Sequence, residues 1–185
     1  MGNLTKKLKS GSLGLGILSL TLLPMKFFGQ EYQKKISSYG GFSIAQFNDK
    51  TTREETGSLP GIILGHNQKI SNEFFAKLSA GYYFNNNPNN NYQTSMFEFG
   101  PKIEGHTDWG LYFGAGVKYR GLCLTERKTK IKENFSGAGL TINFGLEKQI
   151  GKKRKYFYLE SEYDQIKAGN RKNLGITKIN AGFKF

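Results

Sequence analysis

Apolar and polar residues alternate along most of the chain after residue 39. The pattern is clearest at residues 174–185, where the odd positions from Thr177 to Phe185 are mostly apolar and the even ones are polar or small. Because successive side chains of a strand point to opposite faces, this period of two predicts a strand with one apolar face. Seven further strand-like runs precede it, at residues 40–47, 58–66, 73–84, 96–106, 110–124, 136–147 and 155–165. The pattern predicts eight strands, with no helical period after the N-terminal segment.

The polar face of these runs carries charges of both signs, interleaved with glycine. The charged residues on it are Lys77, Glu98, Lys102, Glu104, Lys118, Arg120, Glu147, Glu160, Glu162, Lys178 and Lys184. The interior of an eight-stranded barrel is just wide enough for side chains, and buried opposite charges must pair. We therefore expect these residues inside a barrel whose apolar face meets lipid. A soluble, lipocalin-like barrel is the alternative; it would bury Phe74, Leu140 and Phe183 and expose Lys118 and Glu160.

The connections between the runs alternate in length. Short connections are expected at residues 67–72, 107–109 and 148–154, and mostly longer ones at 48–57, 85–95, 125–135 and 166–173. Short turns at one end and longer loops at the other are the layout of an outer-membrane barrel with both termini in the periplasm. The tract NNNPNNN at 85–91 predicts a flexible, exposed loop.

The N-terminal segment predicts an export signal. Lys6, Lys7 and Lys9 precede an apolar run at residues 13–23, which Pro24 ends. The run is too short for a transmembrane helix but suits a secretory signal. We expect a cleavable signal peptide at 1–29, a short periplasmic lead-in at 30–38 and the barrel at 39–185.

The C-terminal strand carries a resemblance to a known family. It ends on Phe185 with Ile179, Ala181 and Phe183 at alternate positions, and so resembles the C-terminal assembly signal of bacterial outer-membrane β-barrels. Over residues 39–185 the chain resembles the small outer-membrane barrel family of the OmpX and OmpA membrane-domain type, common in Bacteroidetes-like envelopes. The resemblance implies an all-β, eight-stranded, antiparallel up-and-down transmembrane barrel in the bacterial outer membrane. It also implies membrane lipid, lipopolysaccharide and the barrel-assembly machinery as partners.

The charge balance adds one candidate site. The 185 residues carry a formal charge of +13, which suits either nucleic acid or anionic lipid. Nucleic acid is disfavoured, because the charge is spread over loops of an exported chain with no recognition fold. Two basic loops are expected at the outer rim, and their residues are candidates for contact with lipopolysaccharide phosphates: Arg127, Lys128, Lys130, Lys132, Lys167, Arg171 and Lys172. Ordinary solvated loops are the alternative.

Catalytic and metal-binding residues are scarce. The single cysteine, Cys123, excludes an intramolecular disulfide, and two separated histidines give no metal-ligand spacing. Some eight-stranded barrels act on lipid A, which needs a histidine beside a serine and a carboxylate. His66 has Ser71 five residues on, and His106 has Asp108 nearby but no serine. Both are expected at the periplasmic end, so we predict no enzyme, no metal and no cofactor.

The function these observations favour is structural. We expect a non-catalytic outer-membrane barrel that serves structure, adhesion or the docking of envelope partners through its extracellular loops. A filled lumen disfavours a general diffusion porin. The soluble binding barrel and a lipid-modifying outer-membrane enzyme remain the alternatives.

Overall fold

Eight antiparallel strands close into one barrel in chain order, as the alternation predicts. The computed structural model of the protein describes residues 36–151, 155–166 and 174–185. Each strand pairs with the next, and β1 closes the barrel against β8. The strands are β1 (Ile36–Phe47), β2 (Leu59–Lys69), β3 (Phe74–Asn85), β4 (Tyr92–His106), β5 (Leu111–Glu126), β6 (Lys132–Gln149), β7 (Tyr156–Ile166) and β8 (Leu174–Lys184). The predicted signal peptide lies outside the described residues and stays a prediction; β1 begins within the expected lead-in.

The strands differ in length, and the differences fall at one end of the barrel. β4, β5 and β6 span 15, 16 and 18 residues, whereas the other strands span 11 or 12. The extra residues lie at the end with the longer connections, where Thr125 pairs with Lys132 beyond the predicted runs. We call this the outer end. The opposite end carries short turns at 70–73 and 107–110.

The connection between β1 and β2 contains a helix that the sequence analysis did not predict. Helix α1 spans Lys50–Thr56, and the side chain of Asp49 caps it by accepting from the backbone N–H of Thr52 at 2.8 Å. Gly57 ends it with φ of 68°, a conformation that favours glycine. Seven residues are too few for a helical period to emerge from the sequence. Among the described residues, no helix is long and apolar enough to cross a bilayer.

The outward face of the barrel is apolar, as predicted. Phe74, Leu140 and Phe183 are 46%, 67% and 49% exposed, while Lys118 and Glu160 are 0% and 1% exposed. Large apolar side chains cover the outside on every strand, among them Phe42, Ile62, Leu78, Ile103, Phe113, Ile142, Leu159 and Ile179. A soluble barrel would place such side chains inside, so the lipocalin-like alternative is wrong. A closed sheet with an apolar exterior is the form that satisfies every backbone group in lipid.

The β1–β8 seam closes through two glycines that face each other. Gly41 pairs with Gly182, and a Cβ on Gly41 would lie 2.3 Å from the carbonyl oxygen of Ala181. The strands therefore approach too closely here for a larger residue. The backbone N–H of Phe185 donates to the carbonyl of Ser38 at 2.8 Å, so the terminal residue continues the seam.

Candidate functional site

The middle of the lumen holds a balanced network of buried charges. Strand alternation directs five basic and five acidic side chains inward. They are Lys77, Lys102, Lys118, Arg120 and Lys178, with Glu98, Glu104, Glu160, Glu162 and Asp164. Together with Lys184 and Glu147, which pair at 3.2 Å, this group contains all eleven charged residues predicted for the lumen. Asp164 is the one addition; the sequence analysis did not assign it a face.

Glu98 and Glu162 are the centres of this network. Lys102 Nζ lies 2.6 Å from Glu162 Oε2, and Glu162 also accepts from Lys118 and Lys178. Glu98 accepts from Lys118 Nζ at 3.0 Å and from Arg120 Nε at 3.2 Å. Each buried carboxylate thus faces at least two cations, which is the arrangement that compensates for loss of water.

One group of acids in this network has the spacing of a metal site, but its chemistry does not fit one. Oxygens of Glu98, Glu162 and Asp164 lie within 4.8 Å of one another. Lys178 Nζ already contacts all three residues, at 2.6 Å from Glu98 Oε2, at 2.6 Å from Asp164 Oδ2 and in a short pair with Glu162. An ammonium group therefore takes the place that a divalent cation would need.

At the end of the lumen near the short turns, aromatic residues surround the charges of the network. Lys77 Nζ lies 3.0 Å from Glu104 and 2.9 Å from Glu160, and 4.5 Å from the ring centroid of Tyr39. The His106 ring stacks on Tyr112 with centroids 5.0 Å apart. Its two nitrogens lie 3.5 Å from Glu104 and 3.4 Å from Glu147. These contacts give His106 a structural place in the lumen.

The outer end of the lumen is filled by apolar side chains, which we call the outer plug. It comprises Ala45, Phe47, Leu59, Tyr83, Met96, Leu122, Leu124, Leu174 and Ile176. The sequence analysis missed it because apolar residues were assigned to the lipid face. A usable signal was present: Leu122 and Leu124 continue the inward series of Lys118 and Arg120.

Three outer connections are joined by hydrogen bonds above the plug. Asn85 Nδ2 and Asn90 Nδ2 each donate to the carbonyl of Thr56 at 3.0 Å, tying the Asn tract to α1. Arg127 ties the β5–β6 turn to the same tract. Its Nε donates to the carbonyl of Asn90 at 3.0 Å and its Nη2 to the carbonyl of Asn87 at 2.9 Å. We call these connections, at 48–58, 86–91 and 127–131, the outer platform.

The Asn tract is exposed, as its composition predicted, and its asparagine side chains hydrogen-bond to its own backbone. The backbone N–H of Asn87 donates to Asn85 Oδ1 at 2.7 Å, and that of Asn89 donates to Asn87 Oδ1 at 3.0 Å. Asparagine side chains thus replace regular backbone pairing, as they do in Asx turns. The tract is exposed but internally hydrogen-bonded.

Solved structures share this architecture. No known protein family and no curated protein matches the sequence. Neisserial surface protein A matches with a TM-score of 0.65 at 14% identity, over 80% of this chain and 95% of that one. The chain has the fold of a small outer-membrane β-barrel. Ail of Yersinia pestis matches with a TM-score of 0.53 at 14% identity, over 82% of this chain and 99% of Ail. The N-terminal barrel domain of Pseudomonas aeruginosa OprF matches with a TM-score of 0.52 at 14% identity, over 82% and 98%.

The basic candidates occupy different environments on this outer-membrane-type barrel. Lys128, Lys130 and Lys132 are exposed around the β5–β6 turn, whereas Arg127 is half-buried against the Asn tract. Lys167, Arg171 and Lys172 lie outside the described residues. Their predicted contact with lipopolysaccharide stays a prediction. So does the assembly role of Ile179, Ala181, Phe183 and Phe185, which share the outward face of the last strand.

One pair of residues with potential chemistry was missed from the sequence. Ser38 Oγ lies 3.0 Å from His66 Nδ1, across β1 and β2 near the end with short turns. The two residues are 28 positions apart, so a search for serines next to His66 along the chain did not find the pair. The pairing of β1 with β2 brings them together.

Proposed function

We propose that the protein is a closed, non-catalytic barrel of the bacterial outer membrane whose outer platform binds phosphate groups of surface lipopolysaccharide. The observation that carries the proposal is the hydrogen-bonded platform with three exposed lysines at its β5–β6 connection: Lys128 and Lys130 in the turn, and Lys132 at the start of β6. Its role is structural or adhesive. Attachment, which the name of Ail ascribes to that protein, is one use that such a surface would serve.

The interior of the barrel supports a surface role over transport. The charge network and the outer plug together fill the lumen with buried side chains. An eight-stranded barrel has little space to spare inside, so no aqueous path is expected. The connections at the outer rim are then the surfaces available for contact with other molecules.

The lysines of the β5–β6 turn differ from the basic residues of the lumen. In the described part of the chain, Lys128, Lys130 and Lys132 form no ion pair, while every lumen lysine does. Arg127, by contrast, has its guanidinium committed to the Asn tract. The three lysines therefore present free ammonium groups, and Arg127 positions the turn that carries them.

Neutralising the three lysines tests this function. We expect the K128Q/K130Q/K132Q protein to bind lipopolysaccharide about a hundredfold more weakly, at about 1 kcal/mol for each lysine near an anionic surface. Binding is measured with the full chain in neutral-lipid nanodiscs, titrated with lipopolysaccharide at low and high salt. The wild-type affinity should fall with salt and the variant affinity should change little.

A matched control removes the same charge from the opposite end of the barrel. Lys69, Lys148 and Lys155 lie at or beside the short turns. K69Q/K148Q/K155Q should retain wild-type affinity. If both triple variants lost the same affinity for lipopolysaccharide, the loss would follow from net charge alone and the proposal would be contradicted.

The Ser38–His66 pair favours a second candidate, a lipid-modifying enzyme. A serine hydrogen-bonded to a histidine is the first element of an acyl-transfer site. S38A and H66A are compared with wild type by the mass profile of lipid A and phospholipids in cells that express each protein. Identical profiles are expected; a modification lost in both variants would establish the enzyme instead.

A further inference from the structure

A groove of about 200 Å³ opens on the outward face near the outer end of β4, β5 and β6. It is lined by Tyr82, Ser95, Phe97, Gly121, Cys123 and Ser136, among others. These six residues belong to the outward face of the sheet, and Met96 and Leu122 of the outer plug also line the groove. The groove is therefore separate from the charge network.

The groove exists because small side chains meet at adjacent positions of three strands. Ser95 pairs with Cys123, and Gly121 pairs with Ser136. The Phe97 ring lies over Gly121, where an added Cβ would come 2.0 Å from Phe97 Cε1. Glycine at this position thus lets the ring lie against the sheet and form an apolar wall.

The groove lies between the apolar belt and the lysines of the platform. Nearer the middle of the barrel, Tyr119 on β5 and Leu140 on β6 lie on the same outward face and are 38% and 67% exposed. Toward the outer end, Lys132 is the next outward-facing residue of β6 beyond Asn134, about 7 Å along the strand. One end of the groove therefore meets hydrocarbon, and the other meets ammonium groups.

We propose that this groove holds one acyl chain of a lipid A molecule, whose phosphate is bound by the lysines of the β5–β6 turn. In a membrane a lipid-facing surface is covered by lipid, so an acyl chain is the occupant that this position selects. Tyr82 and Phe97 supply apolar walls, and Ser95, Asn134 and Ser136 offer hydroxyl and amide groups to the ester linkages of the lipid. The proposal rests on the phosphate-binding function proposed above and names the ligand that completes it.

Filling the groove tests its occupancy. S136L should lose most of the lipid A that wild-type protein retains, as counted by native mass spectrometry of full-length protein extracted from outer membranes. S161L is the control, because Ser161 is also exposed and outward-facing but lies on β7, away from the groove. Heat-modifiable gel mobility verifies that both variants fold. Equal retention by S136L and wild type would overturn the proposal.

Cys123 gives a second measurement that needs no variant, because it is the only cysteine of the chain and lines the groove. Alkylation of Cys123 is timed in nanodiscs of phosphatidylcholine, phosphatidylglycerol or phosphatidylcholine with lipid A. We expect lipid A to slow the reaction several-fold relative to both phospholipids. Equal protection by phosphatidylglycerol would contradict selection of lipid A.

The variants separate this proposal from the function on which it rests. If K128Q/K130Q/K132Q loses lipid A while S136L retains it, the lysine site stands and the groove proposal fails. If S136L loses lipid A while the triple variant retains it, the groove stands and phosphate binding by the lysines fails. Loss in both variants supports the two proposals together.

Discussion

Glu162 shows how a single residue depends on its partners in the lumen. Its carboxylate is fully buried and faces the ammonium groups of Lys102, Lys118 and Lys178. A buried charge without compensation costs several kcal/mol, so the three cations and the carboxylate are stable only together. The ion pairs of the network therefore depend on one another.

Neutralising Glu162 is expected to destabilise the barrel. E162Q should lower the free energy of unfolding by about 3–5 kcal/mol, because three buried ammonium groups then share too few carboxylates. Urea unfolding in lipid vesicles measures the change. E54Q is the control: the Lys50–Glu54 pair is 3.8 Å long and exposed, so its loss should cost less than about 1 kcal/mol. Similar losses in both variants would contradict this account of the lumen.

At the scale of elements, the β1–β8 seam leaves no space for side chains at the position where Gly41 and Gly182 pair. Gly41 and Gly182 face each other, and the backbone of each strand occupies the space that a Cβ on the other would need. Every other strand pair is also joined by a chain connection, whereas this one is held only by contacts between the two strands. Small residues on both sides allow that fit.

An added methyl group at the seam should therefore weaken closure. G41A is expected to lower the free energy of unfolding by about 1–3 kcal/mol, the usual cost of overpacking. G105A is the control, because the atoms nearest its Cβ would be ring atoms, of Phe113 at 3.3 Å and of Phe74 at 3.5 Å, rather than backbone atoms. The midpoint of heat-modified gel mobility compares them. If G41A and wild type had the same midpoint temperature, the seam would accommodate the added methyl group and the prediction would be contradicted.

The elements also show what sequence alone determines. Alternation predicted the faces of the strictly alternating residues on β3, β4, β5, β6 and β8, since a strand has only two sides to choose between. It missed α1, whose evidence is a local cap at Asp49 and a glycine at position 57. It missed the outer plug because an apolar residue such as Leu124 suits a lipid face and a packed lumen equally. Alternation could not predict the Ser38–His66 pair or the groove, because both arise from contacts between residues of different strands.

At the scale of the whole molecule, the lumen is closed in two different ways. Ion pairs fill its middle, and the outer plug fills the end beneath the platform. Water does not enter a tightly packed apolar region readily. The two layers therefore block passage independently.

We expect the purified protein to show no stable conductance in planar bilayers. Disruption of the charge network at one of its central carboxylates, as in E162Q, should not open a path while the outer plug remains. Recordings of both proteins under the same voltage provide the comparison. Large, steady current steps from the wild type would contradict the closed lumen.

The contacts of Lys178 have a consequence for the nascent chain. This lysine belongs to the final strand, yet it neutralises acids contributed by β4 and β7. If the first seven strands closed without β8, Glu98, Glu162 and Asp164 would come together without the ammonium group of Lys178. The repulsion between the three carboxylates would oppose that closure. When β8 pairs, Lys178 neutralises these carboxylates. The ion pairs therefore stabilise the eight-stranded barrel and disfavour closure of a seven-stranded one.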